Sequence, residues 1–150
     1  MSEITKTVVA ITMKSCLYAF SLQSVLYYLG SNFLEGFFKS NLIIILIALL
    51  AINAATLGLV LTKIRELIDN RGGGSSFFIS TKENMLLSIK EQIVLIVLSV
   101  LFLSLRYSEI VQSYKEAIYL IDVFILTVFF YALYILYDTA KSIILIIDYD

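Results

Sequence analysis

The chain has 150 residues, 60% of them hydrophobic and 15% charged, with a net charge of −1 and no His, Pro or Trp; its mean hydropathy is +0.94. A soluble domain is nearer half apolar and a quarter charged, so there is too little polar surface here to cover a soluble core, and the excess apolar residues must face lipid. The near-neutral charge gives no nucleic-acid signature, one Cys excludes an internal disulfide, and without His there is no Ser-His or Cys-His pair and no usual zinc site, so no enzyme, cofactor or metal is expected.

The first predicted helix covers residues about 7–29. Ser15–Gly30 is uncharged, and apolar character extends back to Val8 past Lys14. A cleaved signal peptide fits poorly, because Ser21, Gln23 and Ser24 interrupt the apolar stretch and no clear small-residue cleavage site follows. On a helical projection Lys6, Ala10, Lys14, Leu17, Ser21, Ser24 and Tyr28 share one face, at spacings of 4, 4, 3, 4, 3 and 4. Residues 4–20 would alternatively suit a helix lying along the membrane interface.

The second predicted helix covers about 41–66, within which Ser40–Thr62 is 23 residues without a charge. That is long enough to cross a bilayer. Ala48, Ala51, Ala55, Gly58 and Thr62 form a small-residue packing face, and Asn53 points to nearly the opposite side. An Asn near the middle of a membrane helix needs a hydrogen-bond partner, since hydrocarbon offers none. It makes either an ordinary interhelical bond or a pore-lining contact. A helix needing partners on two sides in so short a chain implies a homo-oligomer.

Residues 67–83 are expected to form a flexible cytoplasmic loop. Its three glycines lack the GxxxxGK[ST] pattern of a phosphate loop. Phe77 and Phe78, in the apolar patch "SFFIS", either pack against the membrane surface or dock a cytoplasmic regulatory protein or ligand.

The third predicted helix, about 84–107, has an uncharged run of only 14 residues, Gln92–Leu105. At about 1.5 Å per residue that run covers roughly 21 Å of a hydrocarbon core near 30 Å. Asn84, Ser88, Gln92, Leu95, Ser99, Phe102 and Arg106 share a face, with the spacing seen in the first helix. Two helices therefore carry a polar stripe that avoids lipid, and Lys90 and Arg106 can snorkel to the interfaces. Such a stripe either packs against other helices or lines a water-filled path; the residues in question are Lys14, Ser21, Ser24, Ser88, Gln92, Ser99 and Arg106. The fourth predicted helix, about 115–138, contains the intramembrane Asp122, for which Arg106 at the same boundary is the expected partner. The two either form a stabilising ion pair or ring a pore mouth.

These segments make an all-α integral membrane protein with one four-helix transmembrane domain over residues 1–150. With all four spanning, eight of the eleven Lys and Arg lie on the side of the termini and the 63–91 connection. The positive-inside rule then makes both termini cytoplasmic.

A short chain with four membrane helices, a second helix reading "LLAINAATLGLVLTKIREL" and no enzymatic motif resembles the small membrane proteins of bacterial phage-defence systems. These include the membrane component of the Rex exclusion system and membrane effectors paired with nucleotide-signalling enzymes. The resemblance implies an oligomeric ion channel or membrane-disrupting effector of antiviral defence in the bacterial inner membrane, in contact with lipid and controlled by a cytoplasmic protein or nucleotide ligand. It transfers no site residue. A non-conducting scaffold or sensor, and a holin-like protein, are the competing readings.

The topology is testable. In a Cys16→Ala background, Ser75→Cys is expected to resist an impermeant thiol reagent in intact cells and to react in inverted vesicles. Labelling from outside intact cells would overturn the four-span arrangement.

Overall fold

The computed structural model describes the backbone of residues 3–71 and 75–147, and side chains within 5–66 and 82–141. Four long helices dominate: α1 (Glu3–Leu29), α2 (Phe33–Arg71), α3 (Ser75–Arg106) and α5 (Lys115–Ile147), with a single-turn helix α4 (Glu109–Gln112) between the last two. Stretches of all four are long and apolar enough to cross a membrane: Thr5–Leu29, Phe33–Glu66, Lys82–Arg106 and Lys115–Lys141.

The helices outrun the apolar windows that reveal them. α2 begins at Phe33 instead of near 41, and α5 runs to Ile147 instead of near 138. Glu35 and Lys39 end the apolar window but not the helix, because both residue types are good helix formers. Where a loop was expected over 67–83, the backbone is helical through Arg71 and again from Ser75. Gly72–Gly74 lie outside the described residues, as do the side chains of Phe77 and Phe78.

Tight connections fix one end of the bundle. Gly30 ends α1 with φ +64°, where a side chain would be strained. Its N–H donates to the Tyr27 carbonyl at 3.2 Å, and Ser31 N–H to the Leu26 carbonyl at 3.0 Å, the paired bonds of a Schellman cap. Ser108 caps α4, accepting from Val111 N–H at 3.4 Å. These turns share what is called here the closed end; the opposite, open end carries the termini and the α2–α3 connection.

α5 is the hub. It packs against α1, α2 and α3, while α2 and α3 pack on each other as an antiparallel hairpin. α1 packs only against α5 among the described residues. Val123, Ile125, Leu126, Val128, Tyr131, Ala132 and Ile135 of α5 are all buried, more than one face of a helix can hold. They meet Ala19 of α1, Phe38, Leu42, Leu46 and Leu49 of α2, and Leu95 of α3. A smaller cluster of Leu57, Val60, Ile64 and Met85 closes the hairpin toward the open end.

α3 inverts the pattern of a soluble helix. Its buried residues include Gln92, Ser99 and Arg106, while Ile93, Val94, Val97, Val100, Leu101 and Leu105 are exposed. In water that arrangement would expose the apolar side and bury the polar one, against both solvation terms. It is stable where the surroundings are themselves apolar.

Candidate functional site

The two sequence stripes have opposite fates. On α3, Gln92, Ser99 and Arg106 turn into the bundle and Ser88 is partly covered. On α1, Lys14, Leu17, Ser21 and Tyr28 are exposed, because α5 takes the other side of the helix through Ile11, Ser15, Ala19 and Leu22. Ser24 of that stripe bonds to another helix, sharing a 2.9 Å hydrogen bond with the Tyr119 hydroxyl.

The strongest polar group lies at the closed end. Arg106 donates from Nε to Asp122 Oδ1 at 2.8 Å, the pairing inferred from the sequence, and its Nη2 lies 2.9 Å from Glu35 Oε1. One guanidinium thus links α2, α3 and α5. Its planar fork can aim separate nitrogens at separate carboxylates, which an ammonium cannot do as well. Lys39 sits 4.5 Å from the Tyr107 ring centroid on the same side of the bundle. A polar hollow of about 50 Å³ adjoins Arg106, Glu35 and Asp122, room for little more than water.

Deeper in the α2–α3 hairpin, Asn53 is fully buried and donates from Nδ2 to Gln92 Oε1 at 3.0 Å. This is the interhelical partner that the sequence requires of Asn53. Asn53 Oδ1 and Gln92 Nε2 stay unpaired. They are an acceptor and a donor on the same two side chains, so a small rotation toward a two-bond amide ring would satisfy both.

No continuous polar path joins these groups within the protomer. Ser99 donates to its own helix, to the Ile96 carbonyl at 2.7 Å. Leu95 is buried between Gln92 and Ser99, and Phe102 stacks on Phe124 with centroids 5.2 Å apart below Arg106. On α1, Ser21 likewise bonds to the Leu17 carbonyl at 2.9 Å. Such local bonds let a hydroxyl sit in apolar surroundings without a partner helix. The α3 stripe is therefore a packing seam in the single chain.

The small-residue face of α2 is uncovered. Ala48, Ala51, Ala55 and Gly58 are exposed, and a Cβ built on Gly58 would meet nothing within 4 Å. Asn53 on the other side packs inside the chain. Among the described residues no three His, Cys, Asp or Glu side chains group as metal ligands.

Sequence reasoning missed Glu35, Gln92 as the partner of Asn53, and Glu91, which lines a groove together with Tyr131 of α5. A signal for Gln92 was present. In an antiparallel hairpin of α2 (ending at Arg71) and α3 (starting at Ser75), residues equidistant from the connection face each other. Asn53 and Gln92 are nearly so, as are Lys39 and Tyr107. Glu35 was overlooked because the helix was started after it.

Comparison of the chain with protein-family models, with curated proteins and with solved structures finds no match.

Two predictions follow from the buried contacts. Asn53→Leu or Gln92→Leu alone strands a buried amide and should cost about 1–3 kcal/mol, whereas the double variant, which removes both amides, should recover most of that loss. Thermal unfolding in detergent measures the cycle, and additive losses would show that the two amides are not coupled. Arg106→Ala leaves two carboxylates facing each other and should cost about 2–3 kcal/mol, somewhat below the range for fully buried pairs because Glu35 is 38% exposed. Arg106→Lys should restore only part of this, read in the same assay.

Proposed function

We propose that the chain is a multi-pass protein of the bacterial inner membrane, with both termini in the cytoplasm, that assembles as a homo-oligomeric channel or pore-like effector. The observation that carries this reading is the exposed stripe of α1. Lys14 and Ser21 lie on the uncovered side of a helix held only through α5. A Lys ammonium turned to lipid in a membrane helix is costly. An oligomer that gathers copies of α1 about an axis removes the cost by giving these residues water. The α2 face of Ala48, Ala51, Ala55 and Gly58 supplies a surface on which neighbouring subunits can approach closely.

In this reading α1 lines the path and the α2–α3–α5 unit is the rigid wall behind it. The ring of Lys14 side chains favours anions near the cytoplasmic mouth. The segment around Phe77 and Phe78 receives the cytoplasmic protein or nucleotide ligand that opens the path, as in the phage-defence effectors that the chain resembles. The α3 seam supports the second reading, a non-conducting scaffold, since Gln92, Ser99 and Arg106 of that stripe are buried in packing.

Cysteine substitution separates the two. With Cys16→Ala, Ser21→Cys is expected to react with a small water-soluble thiol reagent and to block current in a planar bilayer, while Ser99→Cys is protected. Lys14→Glu should shift the reversal potential toward cation preference. Gly58→Leu should reduce the oligomer in detergent while leaving helix content unchanged, since nothing in the protomer opposes the side chain. Protection of Ser21→Cys together with absence of conductance would establish the scaffold instead.

A further inference from the structure

Because α1 touches α5 and not α3, a groove runs between α1 and α3 with α5 as its floor. Its volume is about 550 Å³. Thr12 and Cys16 line one wall, Val94, Leu98 and Phe102 the other, and Val128 the floor. From Leu87 to Phe102 it follows α3 for fifteen residues, roughly 22 Å at the helical rise. One leaflet of a bilayer accounts for about 15 Å of hydrocarbon, so the groove reaches from the cytoplasmic boundary past the midplane. A helix about 10–12 Å across would occupy on the order of 2,000 Å³ over that length, several times the space present.

The walls are apolar, but the open end is not. Lys90 and Glu91 both line the groove there. Lys90 is exposed and forms no ion pair among the described residues. Glu91 is half-buried, and Tyr131 of α5 lines the groove beside it. A carboxylate has about four lone-pair positions, so Glu91 can accept hydrogen bonds from a bound ammonium. A cation beside an anion at the mouth of an apolar slot matches a head that carries both signs above a hydrocarbon tail.

Building on the membrane reading above, we propose that this groove binds one acyl chain of a zwitterionic aminophospholipid, with its phosphate on Lys90 and its primary ammonium on Glu91. A primary ammonium donates hydrogen bonds to the carboxylate, which a quaternary ammonium cannot do. An anionic lipid without an amine would meet Glu91 as a like charge. The lipid would complete the wall between α1 and α3 that none of the described residues fills.

Native mass spectrometry of the full chain in detergent tests this, with phosphatidylethanolamine, phosphatidylcholine and phosphatidylglycerol of identical acyl chains added separately. Phosphatidylethanolamine should be retained about tenfold more strongly than the other two, the effect of one charge-assisted hydrogen bond. Glu91→Gln should bring it down to the phosphatidylcholine level, and Lys90→Gln should weaken all three. Leu98→Trp, which fills the groove, should abolish retention with helix content unchanged. Equal retention of the three lipids, a preference for phosphatidylglycerol, or undiminished binding by Leu98→Trp would overturn the proposal. Loss of the oligomer in Leu98→Trp with no change in lipid retention would assign the groove to a second copy and overturn it too. Sedimentation with membranes after alkaline extraction checks the membrane reading separately, so a chain that stays in the membrane yet shows no lipid preference refutes the groove alone.

Discussion

Arg106 reaches two carboxylates on two other helices through two different nitrogens. The closed end of the bundle depends on this. Glu35 and Asp122 would repel each other if brought together without it, and Arg106 could not be buried without them. The contact also sets the register of α2 against α3, since the same hairpin alignment places Asn53 beside Gln92 and Met85 beside Leu57, Val60 and Ile64. Two polar contacts and one apolar cluster thus agree on one register. Slipping the hairpin by a turn, about 5.4 Å, would separate both polar pairs at once.

Around that hairpin the helices divide the labour unequally. α5, apolar on most sides, is the shared floor for the other three, and Ala19 and Ser15 of α1 let α1 approach it closely. Among the described residues α1 packs against no second helix. Its far side carries Lys14 and Ser21 outward, and its flank leaves the groove beside α3 open. Both the assembly reading and the lipid reading arise from this incompleteness. One concerns the face of α1 turned away from α5, and the other the gap at its side, so the two are compatible in one molecule.

The chain therefore combines a fixed unit with an unfinished one. α2, α3 and α5 are tied by buried hydrogen bonds and ion pairs that are costly to break. Among the described residues α1 packs on one long helix, α5, and Ser24 shares a hydrogen bond with Tyr119. Among the described residues, the long helix with one long-helix neighbour is also the one that bears the exposed polar stripe.

The sequence by itself determined the four apolar spans, the two stripes at helical spacing and the match of Arg106 with Asp122, because hydropathy, periodicity and distance from a boundary are local quantities. It also stated that Asn53 needs a partner without naming Gln92. The tertiary structure alone decided which stripe is buried and which is exposed. Ser21 and Ser99 look alike in their own helices, each in a polar row on an apolar background. Periodicity says which residues share a face but not what that face meets. Ser99 is covered because α3 has neighbours on two sides, and Ser21 is exposed because α1 has one.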